Sequence, residues 1–209
     1  MVPRANGQGV KRMESRKVNV QRLSIISQEP FESVVAAVEA AIGKPNMSEF
    51  AKDIAGATTY PEVQEIVQHA VSEIGLMEFM RLDAGAVLAK AHPNSNPKSI
   101  RLIIGNPVIM ESMAHLVPDA ASYAPVTVLI DQRPDGVYLS YDEMASLLAP
   151  YGNAEVLEIA RDLDVKVRRL LQEAADHVAR RNRARGCNDR TQNGAGKRGG
   201  TRQFGAESN

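Results

Sequence analysis

The heptapeptide Arg101-Leu-Ile-Ile-Gly-Asn-Pro107 constrains the fold more than any other stretch, because it turns an extended apolar run into a helix within three residues. Leu102 to Ile104 read as strand, and Gly105 permits a sharp turn. Asn106 can cap the following helix, and Pro107 suits its first turn, where a missing N–H leaves nothing unpaired. Ile109, Met110, Met113, Leu116 and Val117 then recur at helical spacing until Pro118 stops them.

The same strand and helix alternation runs through the middle of the chain. Lys17 to Ile26 alternates imperfectly, as a first strand with a bulge would. Pro30 opens a helix striped by Phe31, Val34, Val35, Val38 and Ile42, which Gly43 and Pro45 end. From Met47 to Gly75 the spacing predicts a short helix carrying Phe50 and Ile54. A longer one follows with Val63, Ile66, Val67, Ala70, Val71 and Ile74, capped by Thr59 and closed by Gly75. Leu76 to Leu82 reads as a strand buried on much of both faces, and Ala84 to Ala91 as a helix that Asp83 can cap.

Pro125–Ile130 and Val137–Tyr141 flank Pro134-Asp135-Gly136, the turn chemistry of an antiparallel hairpin. Asp142 is placed to cap a short helix through Leu148, and Asn153 to cap the last helix. That helix turns Val156, Ile159, Ala160, Leu163, Val167, Leu170 and Ala174 inward. Asp162 with Lys166, and Asp164 with Arg168, are spaced for surface ion pairs. The expected class is α+β: an antiparallel or mixed sheet covered by helices on one face, in two layers.

Phe79-Met80-Arg81-Leu82-Asp83, the Arg101–Pro107 heptapeptide and Tyr138-Leu139-Ser140-Tyr141-Asp142, in that order, resemble the bacterial family called domain of unknown function 302, over roughly residues 18–175. The resemblance implies a sheet-and-helix domain that forms a homodimer. The family often carries a histidine beside an aspartate at the position of Asp83; here the neighbour is Ala84. That departure removes the partner with which Asp83 would share a proton or bind a metal.

Net charge is zero, yet the distribution is uneven. Residues 1–17 hold five basic side chains against Glu14, and residues 180–209 hold eight against Asp189 and Glu207. The remaining middle carries twelve basic and twenty-two acidic residues. Both ends are poor in apolar side chains and are expected to be disordered, leaving one globular domain over residues 18–179. A basic tail can bind phosphate backbones, but Phe204 is its single aromatic and the acidic body repels the same polyanion, which argues against nucleic acid. No apolar run reaches the roughly 18 residues of a membrane span, and residues 1–17 lack the apolar middle of a secretion signal, so a cytoplasmic protein is expected. Cys187 is the sole cysteine, which excludes an internal disulfide.

Catalytic signatures are missing. His69, His92, His115 and His177 are isolated, no pair is spaced for a metal, and no strained nucleophile turn or cofactor fingerprint is visible. Glu155, Glu158 and Asp162 form a solvated helix face. Three residues are candidate ligand contacts: Asp83 at a strand end, Asn106 beside free helix N–H groups, and Tyr141 with its hydroxyl. Each also has a structural use, as a cap or as a buried hydrogen bond. With the dimer that the resemblance implies, the pattern favours a non-catalytic small-molecule-binding or interaction module, its small apolar pocket near the ends of the strands of Asp83 and Gly105. The alternative is a metal-independent enzyme acting on a small substrate through carboxylate and tyrosine side chains.

Overall fold

The computed structural model describes residues 13–95 and 97–176. The tail at 180–209 and residues 1–12 of the N-terminal one lie outside the described residues. Five strands, β1 (Arg22–Ser27), β2 (Met77–Asp83), β3 (Ser99–Gly105), β4 (Val126–Arg133) and β5 (Gly136–Asp142), form one sheet in the order β1-β5-β4-β3-β2. Every neighbouring pair is antiparallel. Among the described residues seven α-helices accompany it: α1 (Phe31–Ala41), α2 (Met47–Gly56), α3 (Tyr60–Ala70), α4 (Ala84–Ala91), α5 (Pro107–Ala114), α6 (Met144–Leu148) and α7 (Ala154–Ala175). The class is α+β, as the sequence predicts.

Alternation along each strand divides the sheet into a covered and an uncovered face. Ile100, Leu102, Ile104, Val126, Val128, Ile130, Val137 and Leu139 are buried in a core shared with Val34 and Val38 of α1, Met113 of α5 and the inward stripe of α7. The alternate residues point the other way. Register places Ser24, Ser140, Leu129, Arg101 and Leu82 in one row across all five strands of that opposite face.

Four local expectations are corrected. β2 is an edge strand rather than one buried on both faces: Met80 is 52% and Leu82 42% exposed, since neither the sheet edge nor the uncovered face gives them neighbours. α3 stops at Ala70, not at Gly75, because residues 72–76 must form the turn that starts β2; Ser72 donates its backbone N–H to the Leu76 carbonyl, and Gly75 takes φ +77°. Asp142 does not cap α6; it holds Arg22 across the β1–β5 pair at 2.6 and 2.8 Å. Asp164 is not a surface partner of Arg168 but is only 5% exposed, while Arg168 pairs with Glu143 at 2.6 Å.

α2 and α3 form a small annex, packing Phe50 and Val67 against Met77. Gly43 joins it to the sheet, donating to Leu76 and accepting from Glu78 while its Cα lies against the Ala70 carbonyl.

Candidate functional site

Asp83 ends β2, and its Oδ1 accepts from the Ala86 N–H at 2.8 Å, capping α4. It also borders a shallow hollow of about 240 Å³ with Phe31, Glu32, Ala86 and Lys98. Asn106 sits at the start of α5, where Oδ1 accepts from Val108 and Ile109 at 2.9 and 3.4 Å. Its Nδ2 donates to the Gly75 carbonyl at 2.9 Å, tying the α5 start to the turn before β2.

These two residues are not neighbours. Because β2 and β3 are antiparallel, Asp83 pairs with Ile100, and Asn106 lies six residues further along the chain. That separation is about 20 Å at ~3.3 Å per residue. Asp83 and Asn106 therefore lie at opposite ends of the β2–β3 pair and do not share one small pocket. Gly105, read as a sharp turn, is still strand; what it supplies is space, since a Cβ there would come within 3.1 Å of Pro125.

Tyr141 points into the core and is 1% exposed. Its hydroxyl donates to Asp164 Oδ1 at 2.6 Å, and the same carboxylate accepts from the backbone N–H groups of Met144 at 2.8 Å and Ala145 at 3.1 Å. Burial pushes the Asp164 carboxyl above its ordinary range, while these three donors pull it down. Burial and then the adjacent Asp164 charge push the Tyr141 phenol upward, so its proton stays on the phenol at neutral pH. Each donor or acceptor in this cluster already has a partner in the protein, and the cluster serves to start α6. The three predicted residues thus occupy three separate places.

The open groove between α2 and α3 is larger, about 500 Å³. Two of its polar residues are engaged locally: Glu62 accepts from Thr58, and His69 Nδ1 meets the Glu65 carbonyl at 2.9 Å.

A better-formed hollow, which sequence reasoning missed, lies on the uncovered face. It measures about 340 Å³ and is bordered by Arg22, Arg101, Thr127, Leu129, Ser140 and Asp142. Tyr141 borders it from beneath, with its side chain turned towards α7. β3 supplies Arg101, β4 supplies Thr127 and Leu129, β5 supplies Ser140 and Asp142, and β1 supplies Arg22. The strand alternation forces all of these side chains except that of Tyr141 onto one face.

Two cations and one anion border this hollow. Asp142 is taken by the Arg22 fork, and the hydrogen bonds from that guanidinium hold its carboxyl below the usual range. Arg101 donates to Thr127 Oγ1 at 3.2 Å and has no carboxylate partner among the described residues. Asp131, also on this face, is engaged by Arg133 at 2.6 and 3.3 Å. The hollow carries one uncompensated positive charge above the apolar Leu129.

No group of three or more His, Cys, Asp or Glu side chains among the described residues is arranged to hold a metal. Nor is any helix among them long and apolar enough to cross a membrane.

Comparison with curated proteins gives no match. Among solved structures, the crystal structure of an uncharacterized conserved DUF302 protein from Bacillus stearothermophilus matches with a TM-score of 0.52 at 12% identity, covering 73% of this chain and 97% of that one. At that identity the likeness speaks to the fold alone. Residues 53–174 match the family model described as domain of unknown function DUF302, a narrower span than the segment the sequence resemblance covers, and over half of the chain; the protein belongs to that family.

Proposed function

We propose that this chain is a non-catalytic module that binds a small molecule on the uncovered face of its sheet, and that it works as a homodimer, as the family resemblance implies. The observation that carries the binding reading is the hollow at Arg101: a concave site on rigid strands, with one cation lacking a carboxylate partner among the described residues. At about 340 Å³ it is at the small end of the range for ligand pockets.

Two features weigh against the enzyme reading. Tyr141 and Asp164, the buried pair with acid–base chemistry, are closed off beneath the sheet, and their donors and acceptors are spent on each other and on α6. Asp83, the other carboxylate considered, is spent as a helix cap.

Native mass spectrometry of the full chain tests both parts of the proposal. It is expected to show a dimer mass, and a thermal-shift screen of metabolites is expected to give hits whose effect is lost in Arg101→Gln. A monomer would overturn the dimer. Turnover of a hit by the purified protein would overturn the non-catalytic reading.

A further inference from the structure

The hydrogen-bond inventory of the uncovered face constrains what the hollow can hold. Arg101 carries five N–H donors in a planar fork, of which one is given to Thr127. Thr127 Oγ1 accepts that bond, so its own proton is left to donate. Ser24 and Ser140 share one hydrogen bond at 3.0 Å, which uses one of their two hydroxyl protons and leaves the other. Among the described residues the site therefore offers a guanidinium and two hydroxyls as donors. The one carboxylate at its border, Asp142, is already bound in a bidentate pair with Arg22. Beneath the donors lies Leu129, with Ile103 one position away on the neighbouring strand and on the same face.

Resting on the reading above, the geometry points to a small organic carboxylate as the ligand, its carboxylate on the Arg101 fork and its apolar body on Leu129. A single negative charge neutralises the hollow, whereas a dianion would leave it net negative beside Asp142. A planar carboxylate matches the guanidinium edge in two parallel hydrogen bonds, and Thr127 together with whichever hydroxyl of the Ser24–Ser140 pair keeps its proton supplies donors to the remaining lone pairs. A neutral ligand would leave Arg101 without a counter-charge.

Backbone-amide NMR titration of the full chain with benzoate, its neutral isostere benzamide, and inorganic phosphate tests this assignment. Benzoate is expected to shift saturably the amides of Arg101, Thr127, Leu129 and Ser140. Benzamide should bind roughly tenfold or more weakly, because it lacks the charge that the guanidinium pairs. Arg101→Gln should weaken benzoate by a similar factor while Tm is unchanged, and added NaCl should weaken it progressively in the parent protein. Benzamide binding as tightly as benzoate at these amides, phosphate binding more tightly than benzoate, or indifference to Arg101→Gln would overturn the carboxylate assignment. Each of these would leave the hollow itself as a binding site. If none of the three probes shifts these amides and the metabolite hits perturb a different surface, both the carboxylate assignment and the location of the site are overturned.

Discussion

The Tyr141 hydroxyl and the Asp164 carboxylate, 23 residues apart, meet at 2.6 Å beneath the sheet, and the same carboxylate, from the middle of α7, accepts the Met144 and Ala145 N–H groups that start α6. Glu143, in the capping position itself, makes no side-chain cap bond. Tyr141→Phe removes one of three donors to a buried carboxylate, and is expected to cost about 1.5–3 kcal/mol, the worth of a hydrogen bond to a charged group. Asp164→Asn is expected to cost at least as much, since its amide cannot accept at both positions. Urea unfolding with an unchanged folded-state circular dichroism spectrum is the check; a loss below about 0.5 kcal/mol for both variants would remove the capping role.

Asp164 and Asp142 should leave opposite marks on stability against pH. The Asp164 carboxyl is raised by burial, so the native state holds its proton more tightly than the unfolded chain. Its contribution is fully present below the ordinary value of 3.8 and is lost as pH rises through the higher folded value. The Asp142 carboxyl is lowered by the Arg22 hydrogen bonds, so its contribution is present above 3.8 and is lost as pH falls through the lower folded value. Thermal melts across pH 2–7 should show Asp164→Asn flattening the first dependence and Asp142→Asn the second.

Asn106→Ala is expected to cost about 1–2 kcal/mol through loss of the α5 cap. The tie to the Gly75 carbonyl is lost as well. Asn106→Asp separates the two roles, because it keeps the cap and gains from the helix dipole but cannot donate to Gly75. It should fall between parent and Ala in chemical denaturation.

Glycines 43 and 56 should respond in opposite directions. A Cβ on Gly43 would lie 2.0 Å from the Ala70 carbonyl oxygen, backbone that cannot yield without moving α3, so Gly43→Ala should destabilise by about 1–3 kcal/mol or more. A Cβ on Gly56 meets nothing within 4 Å, and it ends a helix, so Gly56→Ala should stabilise by up to about 1 kcal/mol. Comparing the two melting temperatures checks the annex packing directly.

Local chemistry was legible in the sequence wherever a residue acts on its own neighbours. Asn106 caps α5, Asn153 caps α7, Thr59 caps α3 and Asp83 caps α4, because each side chain reaches N–H groups two or three residues on. The hairpin at Pro134-Asp135 and the inward stripe of α7 follow from the same short-range rules. Helix spacing likewise matched Asp164 with Arg168, but burial decides what a charge on a helix does, and burial belongs to the packed molecule.

Tertiary structure decided which ends of the sheet Asp83 and Asn106 occupy, since antiparallel pairing separates residues that strand reading alone leaves together. It also decided the site. Alternation along β3, β4 and β5 already sets Arg101, Thr127, Leu129 and Ser140 opposite the apolar positions, one strand at a time. Only the strand order and register bring those four side chains into a single hollow, because cross-strand neighbours 11 to 28 residues apart in the chain are chosen by the whole sheet rather than by any local pattern.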